Sequence, residues 1–482
     1  MISDIEFDTF NQNLLVNKEK KNKYGEIFTP FSLIKEMFHM IPKESFSDKN
    51  AKWLDPGAGT GFFSIYLFFQ LDIGLSEVIT NKKERREHII KKMIFIIEIQ
   101  EDNCISLFNL FGKDANIINE DYIKYDSNIN YDSNIKYDSN IKYDSNIKFD
   151  FIIGNPPYNA NGLKKVPTNS KEKKTSDGET MWIPFIKKSI SLLKDKGKLL
   201  MIIPSIWMKP DRARTYYYLM NYKILKIRCF NNTETNKIFS REAQTPTCIL
   251  LLSKETKTNI DVQKKIEIEL YDKQRKDYVL HKFNLNNPIP VFGVSIINKI
   301  KPFIEEFGGI KVFKSNTPKK NSIFSDIKTE LYKYPNIKTA ILEGNRPQLI
   351  INYSNTPQSF FEESKIVLPH KMYGFPYIDK DGAYGISNRD NYIIKNYEED
   401  ELQIIKDFFS TKTALYIFET TRYRMKYLEK YAFEFVPDIK CLLNIESPIN
   451  DKSIAKYFNF DEIDKKNIES LHRKDYNFIY NN

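Results

Sequence analysis

One stretch of the sequence carries the residue types that amine chemistry needs. Residues 149–158 read Phe-Asp-Phe-Ile-Ile-Gly-Asn-Pro-Pro-Tyr, and the apolar run ending at Gly154 suits a buried parallel strand. The two prolines remove two N–H donors and fix the backbone, so the Asn155 side-chain oxygen and the Pro156 carbonyl form a rigid pair of acceptors. The ring of Tyr158 follows directly. These groups suit a planar amino-heterocycle, whose amine hydrogens the acceptors hold while the ring stacks.

A proline-rich turn after a strand is the competing interpretation of this stretch. Pro156-Pro157 alone would favour the turn. A buried strand that runs directly into Asn155-Pro156-Pro157-Tyr158 favours a ligand site, because open α/β sheets bind ligands at the carboxyl ends of their strands.

A glycine-rich loop follows an earlier predicted strand, residues 51–55. Residues 55–63 read Asp-Pro-Gly-Ala-Gly-Thr-Gly-Phe-Phe, and residues 62–71 continue as an apolar helix. The spacing differs from the dinucleotide-binding pattern, and the loop N–H groups suit a small carboxylate better than a pyrophosphate. A single glycine loop is a weak signal, so its meaning depends on its neighbours.

Acidic residues end the next two predicted strands. Glu98 follows the buried run 94–97, where a carboxylate can accept hydrogen bonds from both ribose hydroxyls of a nucleoside. A third unit, with its strand at 116–118, ends at Asp121-Tyr122.

The pair Thr29-Pro30 precedes apolar residues at helical spacing between positions 33 and 41. Thr29 can cap this helix with Pro30 at its first position. The capping role is as compatible with the pair as a functional one.

Two segments near the central stretch are interpreted as loops. Tandem copies of Tyr-Asp-Ser-Asn-Ile-Lys fill residues 125–148, and they favour a neutral expansion of a surface loop. The lysine-rich segment 159–180 is either a basic loop suited to phosphate contact or a solvated linker.

The chain continues with an amphipathic helix at 182–193 and a buried strand at 199–203. Residues 224–230 and 247–252 are predicted as an antiparallel strand pair, with Phe239 in the loop between them. Beyond residue 254 the alternation of strands and helices is lost, so we divide the chain into residues 1–255 and a second region, 265–482. Basic residues lie among aromatic stretches of that region: Arg346, His370, Lys371, Arg389, Arg422 and Arg424.

Composition restricts the class of protein. The chain has 482 residues with 41% hydrophobic and 14% aromatic content, which indicates a globular protein with two or three domains. The net charge of +10 is compatible with a polyanionic partner but does not require one. No apolar run predicts a membrane span or a signal peptide. The four cysteines are scattered, which favours a reducing, cytoplasmic compartment and no zinc site.

These motifs, in this order, resemble the S-adenosylmethionine-dependent N6-adenine DNA methyltransferases of restriction–modification systems, in their gamma arrangement. Asn155 to Tyr158 matches the catalytic motif of that family, and the resemblance covers residues 18–254. The resemblance assigns Asn155, Pro156, Pro157 and Tyr158 to catalysis and Phe239, by a loose local match, to the flipped base. It assigns cofactor binding to Thr29, Pro30, Asp55, Gly57, Gly59, Gly61, Glu98, Asp121 and Tyr122.

The resemblance implies an α/β fold: a Rossmann-like methyltransferase domain with a mixed seven-stranded sheet, followed by a C-terminal α+β target recognition domain. It implies S-adenosylmethionine as cofactor, no metal, and methyl transfer to N6 of an adenine flipped out of double-stranded DNA. It also implies a monomer and a separate cognate restriction endonuclease as partner. The hexapeptide copies, directly before the catalytic strand, depart from the family pattern.

Other reactions use similar residues. N4-cytosine methylation of DNA and adenine methylation of RNA remain alternatives, and protein-glutamine N5 methylation is less favoured, because it would leave the region after residue 254 without a role. C5-cytosine methylation needs a cysteine nucleophile, usually after proline, and no cysteine here has that context. A fused nuclease is disfavoured because Pro437-Asp438 is not followed by the required acidic-x-Lys spacing. A binding module with a decayed methylase half is disfavoured because every cofactor position keeps its chemistry.

Overall fold

The computed structural model describes the chain with several gaps. The described residues are 28–125, 147–159, 180–210, 214–241, 243, 245–256, 265–314, 318–343, 346–370, 375–423 and 427–471. The chain divides into two compact units, of which unit 1 comprises residues 1–207 and 211–269 and unit 2 comprises residues 208–210 and 270–482. The division follows Glu269, whereas the sequence analysis separated the regions between residues 255 and 265.

Unit 1 alternates strands and helices from its first described residues. Its strands are β1 Trp53–Pro56, β2 Ile94–Glu98, β3 Asn116–Asn119, β4 Phe149–Gly154, β5 Leu193–Pro204, β6 Tyr222–Phe230 and β7 Thr247–Thr256, and β8 Ile266–Asp272 spans the division. Its α-helices are α1 Phe31–Phe38, α2 Phe62–Gly74, α3 Lys82–His88, α4 Glu101–Phe111, α5 Trp182–Leu192, α6 Thr215–Met220 and α7 Asn232–Ile238. A π-helical turn, Ile89–Met93, continues α3, and 3₁₀ turns occupy Lys43–Phe46 and Ser205–Met208.

The strands of unit 1 form one mixed sheet in the order β3-β2-β1-β4-β5-β7-β6-β8. The next strand of the chain, β9 (Asp277–Phe283), belongs to unit 2. Strands β1 to β5 are paired in parallel, and β7 is antiparallel to both β5 and β6. This is the Rossmann-like sheet expected from the sequence, and in unit 1 it has one strand, β8, more than the predicted seven. The strand order reverses at β1, between β2 and β4, which is where such sheets bind ligands.

The centre of the sheet is buried because its strands are apolar on both faces. All four residues of β1 are buried, as are all five of β2. The rings of Trp53 and Phe151, from neighbouring strands, stack with centroids 3.9 Å apart. This packing fixes the carboxyl ends of β1, β2 and β4 side by side.

Unit 2 is an α+β unit. One sheet has the order β10-β12-β11-β15 and the other β14-β13-β16. The strands are β10 Phe324–Ser325, β11 Tyr334–Glu343, β12 Arg346–Ser354, β13 Lys365–Pro369, β14 Tyr377–Asp379, β15 Gly385–Ile386 and β16 Asn391–Lys395. The helices are α8 Val294–Phe307, α9 Glu399–Phe409, α10 Lys412–Glu419, α11 Ile439–Leu442, α12 Asp451–Tyr457 and α13 Glu462–Glu469, with a 3₁₀ turn at Lys430–Phe435.

Basic side chains of unit 2 singled out in the sequence have varied surroundings. Arg422 pairs with Glu419 at 3.0 Å, and the His370 ring stacks on Tyr427 with centroids 4.8 Å apart. Lys371, Arg424 and the side chain of Arg346 lie outside what the structure describes.

Of the two interpretations of Thr29-Pro30, capping by Thr29 is not observed. Helix α1 begins at Phe31, and Pro30 itself occupies the N-cap position with no side-chain capping bond. Thr29 is therefore one residue too far from the helix, and its hydroxyl has another partner, described below. The predicted antiparallel pair at 224–230 and 247–252 is confirmed as β6 and β7.

Two sequence interpretations fall outside the described residues. The hexapeptide copies lie mostly in 126–146 and the basic loop mostly in 160–179. Their flanks are described: Tyr125 is buried, and Asn159 forms a β-bridge with Thr180.

Candidate active site

A cleft opens at the carboxyl ends of β1, β2 and β4, where the strand order reverses. Nine residues assigned from the sequence line it: Thr29, Gly57, Gly59, Glu98, Asn155, Pro156, Pro157, Tyr158 and Phe239. The other lining residues are Phe28, Ala58, Thr60, Phe62, Phe63, Ile99, Gln100, Phe185 and Ala243. The structure thus brings together residues from six separate segments of unit 1.

The glycine loop needs glycine for backbone reasons. Gly57, Gly59 and Gly61 have φ values of 81°, 54° and 89°, in the left-handed region that side chains rarely adopt. At Gly61 a Cβ atom would also lie 2.4 Å from Cδ2 of Leu107. The loop turns tightly here, and its glycine N–H groups are bonded within the protein: Gly57 donates to the Ile97 carbonyl at 2.6 Å and Gly61 to the Ala58 carbonyl at 2.9 Å. Helix α2 begins directly after Gly61, and its first two residues, Phe62 and Phe63, line the cleft, so the positive end of this helix borders it.

Glu98 ties the glycine loop to the end of β2. Its Oε2 accepts a hydrogen bond from the N–H of Gly59 at 2.7 Å, and its Oε1 accepts one from the N–H of Gln100 at 2.8 Å. The residue is only 3% exposed, yet it lines the cleft. Backbone donors therefore fix the orientation of this carboxylate where it borders the cleft.

Asp55 lies behind the glycine loop and does not line the cleft. It is buried, and its Oδ2 accepts a hydrogen bond from the Ser64 hydroxyl at 2.7 Å. Burial raises the pKa of Asp55 to about 7; the charge of Glu98 adds to the rise, and the bond from Ser64 opposes it. Asp55 can therefore gain or lose a proton near neutral pH.

We expect Asp55→Asn to change how stability depends on pH. Between the pKa of an unfolded aspartate, about 3.9, and the folded value of about 7, the folded chain binds more protons. The contribution of Asp55 to stability therefore decreases as pH rises through this window. We therefore expect the melting temperature of Asp55→Asn minus that of wild type to increase between about pH 5 and about pH 8.

His281 is the main complication for this measurement. Burial lowers the pKa of His281 to about 4, which gives the opposite slope in an overlapping window. Because His281 is present in both proteins, the difference between their melting temperatures cancels its effect. A difference that stays constant with pH would contradict the raised pKa of Asp55.

Asn155 meets Thr29 across the cleft. The Asn155 Nδ2 donates a hydrogen bond to Oγ1 of Thr29 at 3.1 Å, although the two residues are 126 positions apart in the sequence. The Asn155 Oδ1 is buried and has no hydrogen-bond partner among the described residues. An unpartnered buried acceptor that belongs to a residue lining the cleft is suited to an amine donor.

Two aromatic residues join Asn155 in the cleft. The Tyr158 hydroxyl lies 3.5 Å from the Ile202 carbonyl, and burial raises its pKa, so it stays protonated. Phe239 follows the last residue of α7 and is buried, as is its neighbour in the cleft, Ala243. The rings of Tyr158 and Phe239 therefore both border the cleft that contains the Asn155 acceptor.

Four other residues assigned from the sequence, besides Asp55, do not line the cleft: Pro30, Gly61, Asp121 and Tyr122. The Tyr122 hydroxyl contacts the Ser189 hydroxyl at 2.9 Å, and its ring packs against Phe185 with centroids 5.0 Å apart. Oδ1 of Asp121 accepts a hydrogen bond from the Ile123 N–H at 3.0 Å. Tyr122 thus supports Phe185, which does line the cleft.

Ile99 and Phe185 also line the cleft and were not expected from the sequence. Ile99 follows Glu98 and is 47% exposed, which is unusual for a large apolar side chain beside a buried strand. Phe185 projects from α5, and its ring would be 3.7 Å from a Cβ atom at Gly57. Ile99 could have been found from the sequence, because it is an apolar residue directly after the polar residue that ends the strand. Phe185 has no such signal, because it is one of several apolar side chains on the buried face of α5.

Within the described residues, no group of three or more His, Cys, Asp or Glu side chains is arranged to hold a metal ion. No helix in the described ranges is long and apolar enough to cross a membrane. The four cysteines are buried, and none of them forms a disulfide bond.

Comparison with protein families identifies part of unit 1. Residues 63–239 match the family described as Eco57I restriction-modification methylase. This segment runs from the start of α2 to Phe239 and contains Glu98 and Asn155. The resemblance to restriction–modification methyltransferases is thereby confirmed for this segment.

Individual relatives are distant or short. The chain is 26% identical over 322 residues to the Type II methyltransferase M.AccI of Acinetobacter calcoaceticus, covering 63% of this chain and 51% of that protein. It is 35% identical over 75 residues to an uncharacterized adenine-specific methylase of Mycoplasma pneumoniae, covering 15% of this chain and 18% of that one. The chain thus spans about half the length of the first relative and less of the second.

A modification subunit of a putative type I restriction enzyme from Vibrio vulnificus YJ016 is similar in structure. The TM-score is 0.35 at 17% identity, and the alignment covers 52% of this chain and 49% of that one.

Proposed function

We propose that this chain, whose residues 63–239 match the Eco57I restriction-modification methylase family, is a DNA methyltransferase that modifies N6 of adenine. The observation that carries the proposal is the unpartnered Oδ1 of Asn155, a buried acceptor in a cleft that also contains the glycine loop and Glu98. Adenine presents an exocyclic amine with two hydrogens, which suits this acceptor together with the Pro156 carbonyl.

S-adenosylmethionine is the proposed cofactor, and it would supply an electrophilic methyl group when bound. The start of α2 places the positive end of a helix beside the cleft, where it suits a carboxylate, and the fixed carboxylate of Glu98 is proposed to accept hydrogen bonds from ribose hydroxyls. The exposed face of Ile99 is suited to contact with an aromatic base. We keep Asp121 and Tyr122 as proposed cofactor residues, although neither lines the cleft in this structure.

The chain's own groups would act mainly on the target amine. The N6 lone pair is delocalised into the purine ring, so adenine is a weak nucleophile. Acceptors at Asn155 and Pro156 stabilise the amine as it becomes tetrahedral, which is positioning combined with electrostatic stabilisation. The adenine must leave the duplex to reach them, and Tyr158 would replace the stacking lost from its neighbours.

Unit 2 is proposed to recognise the DNA sequence, and the chain is proposed to act as a monomer on double-stranded DNA in an intracellular restriction–modification system. The net charge of +10 and the 29 tyrosines and 35 phenylalanines of the chain are compatible with nucleic-acid contact. A separate endonuclease would cleave DNA that lacks the modification.

Tritium transfer from labelled S-adenosylmethionine tests the reaction and the substrate. Purified protein is incubated with duplex DNA, structured RNA or a protein extract, and labelled DNA is digested to nucleosides. We expect the label in N6-methyldeoxyadenosine from the duplex. Label in N4-methyldeoxycytidine, in RNA alone or in glutamine residues would contradict the proposal and identify which alternative is correct.

We expect the ring and the hydroxyl of Tyr158 to contribute differently. Tyr158→Ala should weaken productive binding of the target by about 1 to 3 kcal/mol, the contribution of one base–aromatic stack. Tyr158→Phe should remain substantially active, because the hydroxyl makes only a 3.5 Å contact to Ile202. Methyl-transfer rates are compared with melting curves, and equal loss of activity in both variants would argue against stacking.

A further inference from the structure

The hydroxyl of Thr29 touches the residue proposed to hold the target amine. Thr29 is 5% exposed, and its Oγ1 accepts the hydrogen bond from Asn155 Nδ2. Since Pro30 is the N-cap of α1 and no side chain caps that helix, the hydroxyl is not used in starting it. The hydrogen bond to Asn155 is therefore the contact that requires a hydroxyl group at position 29.

Aromatic packing fixes the backbone around Thr29. On one side, the Phe28 ring packs edge-on against Phe62 with centroids 6.2 Å apart. On the other side, the Phe31 ring packs edge-on against the same Phe62 at 4.8 Å. Phe62 is the first residue of α2, directly after the glycine loop. Thr29 thus lies between two residues whose rings both pack against Phe62 at the cleft.

The orientation of the Asn155 amide decides whether this residue can assist an amine. Only the oxygen end accepts hydrogen bonds, whereas the nitrogen end carries two donors that would oppose the donors of an amine. The Thr29 hydroxyl accepts a hydrogen bond from Nδ2. The amide can therefore direct Oδ1 to the cleft while Nδ2 keeps a hydrogen-bond partner. Without that hydroxyl, Nδ2 would lose its acceptor in this orientation.

We propose that Thr29 is a positioning residue for Asn155: it fixes the amide so that the acceptor oxygen faces the target amine. This inference rests on the proposed function. It gives Thr29 a role toward the methyl acceptor, whereas the family resemblance assigns it to the cofactor. The two roles predict different kinetic effects, so they can be separated.

Thr29→Val tests the inference because it removes the hydroxyl and keeps the branched shape. We expect kcat to fall about 5- to 10-fold, the factor that one neutral hydrogen bond contributes. The Kd for S-adenosylmethionine, measured by calorimetry, should stay within about twofold of wild type, since only the rate of transfer depends on the amide. Thr29→Ser restores a hydroxyl and should recover most of the rate.

Thr235→Val is the matched control. The Thr235 hydroxyl is also buried and contacts the Thr247 hydroxyl at 3.0 Å, but neither residue lines the cleft. This variant removes a buried hydroxyl of unit 1 in the same way, and we expect its kcat to match that of wild type. Melting curves for all variants show whether a loss of rate follows a loss of stability.

Three outcomes would overturn the inference. A raised Kd with unchanged kcat in Thr29→Val would show a contact to the cofactor. Equal losses of rate in Thr29→Val and Thr29→Ser, with lowered melting temperatures, would show a structural role. Wild-type kcat and Kd in Thr29→Val would show no role. The proposed function fails separately, if the wild-type protein methylates no adenine in DNA.

Discussion

Asn155→Ala is expected to lower the rate of methyl transfer by about 10²- to 10³-fold, the effect of removing one preorganised group that stabilises a transition state. The variant loses the buried Oδ1, which has no partner among the described residues and is therefore available to an amine. It also loses the bond to Thr29, whose hydroxyl can then bind water. Single-turnover tritium transfer under saturating DNA and cofactor measures the rate directly.

Binding of S-adenosylmethionine should be largely retained in Asn155→Ala, because Glu98 and the glycine loop are unchanged. Calorimetry on the same preparation checks this expectation, and a melting curve checks folding. Asn155→Asp is the informative companion, since it keeps the shape and an acceptor while it adds a charge. A wild-type rate in Asn155→Ala would end the catalytic assignment of this residue.

Glu98→Ala is expected to weaken S-adenosylmethionine binding by about 1 to 3 kcal/mol, which is the usual loss for hydrogen bonds to a charged group. The structure gives two routes to this loss. The carboxylate would no longer be available to ribose hydroxyls, and the N–H of Gly59, now bonded to it at 2.7 Å, would lose its acceptor. The second route lets the glycine loop relax before any ligand arrives.

Glu98→Gln gives a graded test of both routes together. A glutamine keeps one acceptor oxygen and nearly the same shape, so it can hold either the Gly59 N–H or the Gln100 N–H but not both as strongly. We expect an affinity between those of Glu98→Ala and wild type, measured by calorimetry. An unchanged Kd in Glu98→Ala would remove the ribose assignment.

The sequence predicts the central strands and their polar ends well, for a physical reason. Buried parallel strands are continuous apolar runs, so the polar residue that ends each run is visible, as at Glu98 and Asn155. Strands β8 and β9 were missed because the analysis followed the alternation of strands and helices. In β8 the signal is a hydrophobic period of two residues: Ile266, Ile268 and Leu270 are buried, while the residues between them are more exposed.

The contact between Thr29 and Asn155 could not be predicted from one sequence. Helix-capping statistics explain Thr29-Pro30 without any distant partner, and the pairing depends on how residues 126 positions apart meet in three dimensions. Phe185 illustrates the same limit. Periodicity identifies the buried face of α5 but not which ring on that face reaches the cleft.

Sequencing of modified bases tests the central claim most directly. DNA is isolated from a methylation-deficient host that expresses either the wild-type chain or Asn155→Ala, and every modified base is located by single-molecule sequencing. The account predicts N6-methyladenine at one defined sequence with the wild-type chain and its loss with the variant. Unmodified DNA from the wild-type strain, or N4-methylcytosine in place of N6-methyladenine, would contradict it.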